Sequence, residues 1–434
     1  MAKELIKRSE VKVEDTWAVE DLYKTKADWE KDLENAKNIA EELSKTEGHV
    51  CDSAKSLLNV LEKQAELEEK LDYAYSYASR LSDQDTANTE HQSMVAKVFS
   101  LYSETGAKLA FIEPEILALS DEATENFIKE EKGLELYRRQ LEMLAKKRPH
   151  TLSTEMEKLL AMTMEMAATA EDTYGILDNA NMIYPEIKDE NGEEVRITTG
   201  RFIPFLESAD RRVREDAFKN YYETYKQFIN TYASLYNGQV KQQCFYTKAR
   251  KYASNLERAV SNNEVPTVVY HNLINTVNKN VDKLHRYVRL RKKLLNLPEL
   301  HMYDVYTPII GDVARTYTFD EAMDICLKAL EPMGEDYVAM IKEGFDNRWI
   351  DKYENQGKRG GAYSAGAYGC HPFVLMNFNG SLDNVFTLIH EMGHSIHSYL
   401  SNKNQPFIYS QYKIFVAEVA STCNEVLLLE YLLK

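Results

Sequence analysis

His390, Glu391 and His394 form an H-E-x-x-H pentad, the strongest chemical signal in this 434-residue chain. Histidines four apart on a helix lie on one face, one turn above the other. Two imidazoles so spaced can grip one zinc ion, with the carboxylate of Glu391 beside the metal as general base. A catalytic zinc takes a third protein ligand and keeps a fourth position open. Glu418 is the candidate third ligand, because a lone carboxylate in the apolar run 415–422 is costly to bury unless paired or metal-bound. Glu425 follows on the same helix face, where it can accept a hydrogen bond from a ligand histidine and orient it. His397 shares the face of His394 and reads either as a group that, like Glu425, supports a metal ligand or as a packed histidine, with packing or a structural hydrogen bond the favoured reading. It is not counted as a fourth ligand, since catalysis needs the open position.

The pentad needs a helix to align it. Leu382, Val385, Phe386, Leu388, Ile389, Met392, Ile396 and Leu400 recur at the spacing of a mostly buried helix. Ser381 is its N-cap, and Asp383 in the first turn suits the helix dipole. Gly393 costs about 1 kcal/mol of helix propensity, which implies that its missing side chain lets another backbone approach near the metal. Upstream, Gly357, Gly360, Gly361, Gly366 and Gly369 form a flexible loop without the Lys-Ser/Thr pair of a phosphate-binding loop. Residues 372–379 then read as a strand, with Pro372 suited to an edge. An edge offers free N–H and C=O groups to which an extended peptide can add, with the glycine loop closing over it. The candidate substrate contacts are therefore Gly360, Gly361, Phe373, Val374, Leu375, Met376 and Asn377.

The remaining chain is mainly helical. Long amphipathic helices are expected from Trp17 to residue 145, with Leu57, Leu58, Val60, Leu61, Ala65, Leu67 and Leu71 marking one face, and Pro149 marking a break. A further helix carries Leu159, Leu160, Met162, Met164 and Met166, the methionines reading as gap-filling core. Residues 182–187 and 194–198 predict a hairpin turning at Asn191-Gly192, and helices resume over 205–295. The basic run 286–293 reads as a solvated helix face.

Composition narrows the class. A net charge of −16 argues against nucleic acid or an anionic membrane as partner. No signal-peptide core and no run of about eighteen apolar residues is present. Five scattered cysteines without a C-x-x-C pair suggest reduced thiols and a cytoplasmic location. The 28 tyrosines suit either a peptide channel or partly buried helix packing, and packing accounts for most of them.

The run 383–398 resembles the active-site signature of oligoendopeptidase F, of the thimet-oligopeptidase-like zinc metallopeptidases, and 415–425 resembles that family's second metal helix. Trp17, Asp21-Leu22-Tyr23, Trp29 and the run 358–364 extend the similarity over nearly the whole chain. The resemblance implies a mainly α, zincin-like metallopeptidase: an N-terminal helical domain (1–148), a catalytic domain (149–434) and a small β element beside the metal helices. It implies one zinc per chain on His390, His394 and Glu418, and internal cleavage of unstructured, moderate-length oligopeptides with Glu391 as general base. Members of the family continue beyond the second metal helix, so a C-terminal portion with substrate-contacting tyrosines and histidines is expected to be missing here. Two rival readings follow. One is a zinc- and peptide-binding fragment deficient in catalysis; the other is a dipeptide-releasing carboxypeptidase on the same architecture.

Overall fold

The computed structural model describes residues 6–310 and 315–434. They fall into two compact units, one from Met1–Lys158 with Arg315–Lys434 and one from Leu159–Ala314. In the first unit, helices Lys26–Ser44, Ala54–Gln84 and Thr89–Lys108 start where the sequence supplies caps. Thr25 accepts from the Asp28 amide, Ser53 from that of Ser56, and Asn88 from those of Glu90 and His91. Leu33, Ala36, Ala40 and Leu43 bury one stripe of the first helix; Leu57, Val60, Leu61, Leu67 and Leu71 bury one of the second. Trp29 lies between them, its indole N–H satisfied by the Ala74 carbonyl at 3.0 Å.

The second unit contains a hairpin of β1 (Glu186–Lys188) and β2 (Glu194–Arg196), paired antiparallel. Gly192 takes the left-handed conformation in its turn, at φ 82°. Tyr184 and Phe202 stack on Tyr221, so these tyrosines pack a core. One expectation fails here, and the solvated face of 286–293 holds at Arg286, Arg289 and Lys293 but not at Arg291. Met162 and Met166 are 78% and 72% exposed, so they do not fill a core, and the side chain of Met164 lies outside the described residues. Arg291, in the basic run, is buried in the helix Thr267–Leu294, where it donates to the carbonyls of Asp304 and Thr307. Among the described residues no helix is long and apolar enough to cross a membrane.

The sheet of the first unit has β3 (Ile350–Asp351), β4 (Tyr363–Ala365) and β5 (Phe373–Leu375) in the order β3-β5-β4. β5 runs parallel to β3 and antiparallel to β4. It is thus the central strand and not an edge, which corrects the sequence reading of 372–379. Pro372 precedes the strand, where its missing N–H costs no ladder bond. Side chains alternate: Phe373 and Leu375 enter the core of the N-terminal helices, whereas Val374 and Met376 enter the core beneath the H-E-x-x-H helix. All four are at most 1% exposed, so Phe373, Val374, Leu375 and Met376 hold the sheet and do not touch substrate.

Asp351, at the end of β3, anchors the N-terminal segment. Arg8 forks onto both its carboxylate oxygens at 2.9 and 2.6 Å, and Lys358 meets it at 2.6 Å with a fully buried side chain. Lys358 also donates to the carbonyls of Asp351 and Tyr353. Burial pushes its ammonium below the ordinary lysine value against the pull of Asp351.

Candidate active site

Ser381 caps the helix Leu382–Asn404 by accepting from the Asn384 amide. Val385, Leu388, Ile389, Met392 and Ile396 bury its inner face. The outer stripe turns His390 and His394 toward Glu418 on the helix Ile414–Leu432. The facing Nε2 atoms of His390 and His394 stand 3.1 Å apart, and Glu418 Oε2 lies 3.5 and 3.4 Å from them. Donors at the corners of a tetrahedron about 2.0–2.1 Å from its centre are roughly 3.3 Å apart, so these three fit one zinc ion.

The donor chemistry fits as well. Glu425 accepts a short hydrogen bond from His390 Nδ1, which puts the ring proton there and leaves Nε2 a lone pair toward the cluster. Burial pushes the His394 imidazole below its ordinary value, against the pull of Glu418, and so favours the neutral ligand form. Glu418 itself is 63% exposed, contrary to the buried carboxylate that its apolar flanks suggested. The Ser421 hydroxyl, donating at 2.8 Å, and then the two histidines hold it below the usual carboxylate range.

Gly393 is where the two helices touch. A Cβ there would lie 2.8 Å from Ser421 Cα and 3.0 Å from both the Ala420 carbonyl and Asn424 Nδ2. Asn424 is buried and donates to the Ile389 carbonyl at 3.1 Å, while Tyr337 donates to its Oδ1 at 3.0 Å. This buried amide clips the second helix to the first, one residue before His390.

Glu391 is buried, at 7% accessible. Burial, and then the Glu418 charge, lift its carboxyl to about 7, while His390 and a hydrogen bond from the Ser364 amide oppose the rise. Ser364 is the middle residue of β4. Its hydroxyl also meets Ser395 Oγ at 2.8 Å, and Ser395 donates to the Glu391 carbonyl at 2.9 Å. The strand beside the metal helix is therefore β4, which among the described residues pairs with β5 alone.

The glycine loop is strapped down rather than free to close. The Arg359 amide donates to the Asp83 carbonyl, the Thr86 amide to the Gly357 carbonyl, and Tyr363 OH to the Asp83 carboxylate at 2.5 Å. Asn377 spends its side-chain N–H groups on the carbonyls of Arg359 and Gly361, so it braces the turn. Gly360 and Gly361 are exposed on that turn, and Gly361 requires its positive φ of 83°. His397 stacks on Tyr412 with ring centroids 3.7 Å apart, outside the donor cluster. Ser364, Ser395 and Asn424 were missed from the sequence. Ser421 was legible in principle, three residues after Glu418 on one helix face.

Two histidines one turn apart and a carboxylate from a second helix, with a buried glutamate beside them, form a group that could hold a metal ion, in the arrangement of an H-E-x-x-H metallopeptidase. Comparison with known proteins narrows this class. The model of peptidase family M3 matches residues 205–434, and that of oligopeptidase F matches 115–184. The chain is 48% identical over 433 residues to oligopeptidase PepF of Bacillus subtilis, covering all of this chain and 65% of that protein. It is 41% identical to the group B oligopeptidase PepB of Streptococcus agalactiae, covering 98% of this chain and 71% of that one. The crystal structure of oligoendopeptidase-F from Enterococcus faecium superposes with a TM-score of 0.70 at 37% identity, covering 94% of this chain and 67% of that one. The chain belongs to peptidase family M3. It spans about two thirds of the length of these relatives.

Proposed function

We propose that this chain is a zinc-dependent endopeptidase that cleaves internal bonds of unstructured, moderate-length oligopeptides. The observation that carries this reading is the convergence of His390, His394 and Glu418 with Glu391 buried beside them. The names of the relatives, oligopeptidase and oligoendopeptidase, agree with it. One zinc bound by His390, His394 and Glu418 supplies Lewis acidity for the scissile carbonyl and lowers the pKa of water.

The chain's own groups do the rest. Glu391, buried beside the donors, is placed to take a proton from the attacking water and to hand it to the departing amine. Glu425 keeps His390 in the ligand tautomer. The substrate backbone lies along β4. Val374 donates to the Trp349 carbonyl, on the β3 side, so Phe373 and Leu375 turn to β4 and pair with Ala365 and Tyr363. Ser364 thus faces the open edge, its amide held by Glu391 and its carbonyl left for an extended peptide.

The test is hydrolysis of an internally quenched peptide by the zinc-loaded chain beside its Glu391→Gln variant. The substitution is expected to lower turnover about 10²- to 10⁴-fold with zinc content unchanged. Equal turnover by the two proteins removes Glu391 from the chemistry, and no turnover by the zinc-loaded parent leaves the binding reading. A C-terminal amide on the peptide should leave turnover intact; its loss would point to a dipeptide-releasing carboxypeptidase.

A further inference from the structure

The three-residue strand β4 is held from both of its faces. Neighbouring residues of a strand point to opposite sides. Here Ser364 turns to the metal helix, while Tyr363 packs on the core of the N-terminal helices. On the first side the Ser364 amide reaches the Glu391 carboxylate, and its hydroxyl meets Ser395 Oγ. Ser395 donates its own proton to the Glu391 carbonyl, so Ser364 is the donor of that pair. On the second side the Tyr363 phenol donates to Asp83, in the last turn of the helix Ala54–Gln84.

The Asp83 end of this clamp is fixed and charged. Asp83 is buried, with Arg359 at 3.2 Å and Arg80 at 3.9 Å. Arg80, also buried, donates to the Tyr363 hydroxyl at 3.3 Å and lies over its ring, 5.1 Å from the centroid. Gln84, the next residue, accepts from Arg8 at 2.8 Å and from the Trp17 indole at 3.1 Å, so the helix end is tied to the N-terminal segment. Burial pushes the Tyr363 phenol above its ordinary range, which keeps it a donor. Neutralising this region does not require the phenol bond. Asp83 retains two guanidinium groups without it, and the Tyr363 ring retains Arg80 and Trp17. What the bond adds is a fixed point one residue from Ser364.

Building on the peptidase reading, we propose that Tyr363 and Asp83 are positioning residues for hydrolysis. Through their hydrogen bond the end of an N-terminal helix sets where β4 stands relative to Glu391. Both the Ser364 amide and a peptide lying on the strand move with it. The N-terminal helices thereby take part in the chemistry through one carboxylate, at a distance from the reacting atoms.

The test is steady-state hydrolysis of the internally quenched peptide by the zinc-loaded parent and its Tyr363→Phe variant, both fully folded at the assay temperature. Phenylalanine keeps the ring and removes only the bond. A misplacement of about 1 Å can cost about 10²-fold in rate, and a smaller shift of a strand still paired to β5 is expected to lower kcat about ten-fold. KM should stay within about two-fold, because the strand that holds the peptide is intact. Asp83→Asn should also lower kcat, and adding it to Tyr363→Phe should lower kcat no further, since the two residues act through one bond. Equal kcat in parent and Tyr363→Phe, a loss confined to KM, or losses that multiply in the double variant overturns the positioning role and leaves the peptidase reading standing. Amide exchange supplies a readout that needs no turnover. The Ser364 amide hydrogen should exchange about ten-fold faster in Tyr363→Phe, with Phe373–Leu375 unchanged. Unchanged exchange at Ser364 overturns the clamp at any level of turnover. A zinc-loaded parent that cleaves nothing overturns the peptidase reading, and the positioning role with it.

Discussion

The molecule holds two clusters of charged and metal-capable side chains, and they are built on opposite plans. Around Asp351 every partner is used: Arg8 forks onto the carboxylate, Lys358 closes over it, and its ammonium also reaches two carbonyls. Around His390 the donors face one another instead. Two imidazole nitrogens stand 3.1 Å apart, a carboxylate oxygen completes the triangle, and a buried glutamate beside them is held above its ordinary pKa. A structural charge cluster is neutralised internally, whereas a reactive one leaves its lone pairs aimed at a position that a cation must fill.

Breaking the first cluster should give the largest effect. Asp351→Asn leaves Lys358 and Arg8 without their carboxylate and is expected to cost about 3–5 kcal/mol of stability. Urea denaturation measures it, and a cost below about 1 kcal/mol would show that the two clusters are not as different as their geometry implies. The second cluster should respond in metal affinity rather than in folding. Glu425→Ala frees the His390 ring to turn, and zinc affinity in competition with a chelator should weaken about 10- to 100-fold. Unchanged affinity would show that the helix backbone alone orients the ring.

The smallest effect sharpens the contrast through its sign. The carboxyl of Glu391 is raised to about 7 in the fold, so its ionised form is disfavoured there. Below its ordinary pKa both states hold the proton and the group costs nothing. As pH rises toward 7 only the unfolded chain releases it, and stability is lost. In metal-free protein, Glu391→Gln should therefore raise stability by about 1–2 kcal/mol at pH 8, and by nothing near pH 4. Equal denaturation midpoints at pH 8 would refute the buried-carboxylate account.

The helical parts of the site were legible because their signals are local. The spacing of Val385, Leu388, Ile389, Met392 and Ile396 sets the buried face of the metal helix, and that face fixes where His390 and His394 point. Gly393 announced a close contact, although its partners, Ser421 and Asn424, lie on another helix. The sheet was not legible in the same way. Strands of two or three residues carry little periodicity, and the centrality of β5 depends on β3, more than twenty residues upstream. The misassigned edge followed from that, and so did four wrongly placed substrate contacts. The amide of Ser364 could not be found at all, because a backbone donor leaves no mark on residue type.

The alternation along β5 has a consequence for how the first unit comes apart. Phe373 and Leu375 are shared with the N-terminal helices and Val374 and Met376 with the layer beneath the metal helix, so the four-residue run 373–376 is common to both cores. Neither core can open without exposing apolar surface from the other. Amide hydrogens in Ala54–Gln84 and in Leu382–Asn404 are thus expected to exchange through the same rare opening, as one cooperative block.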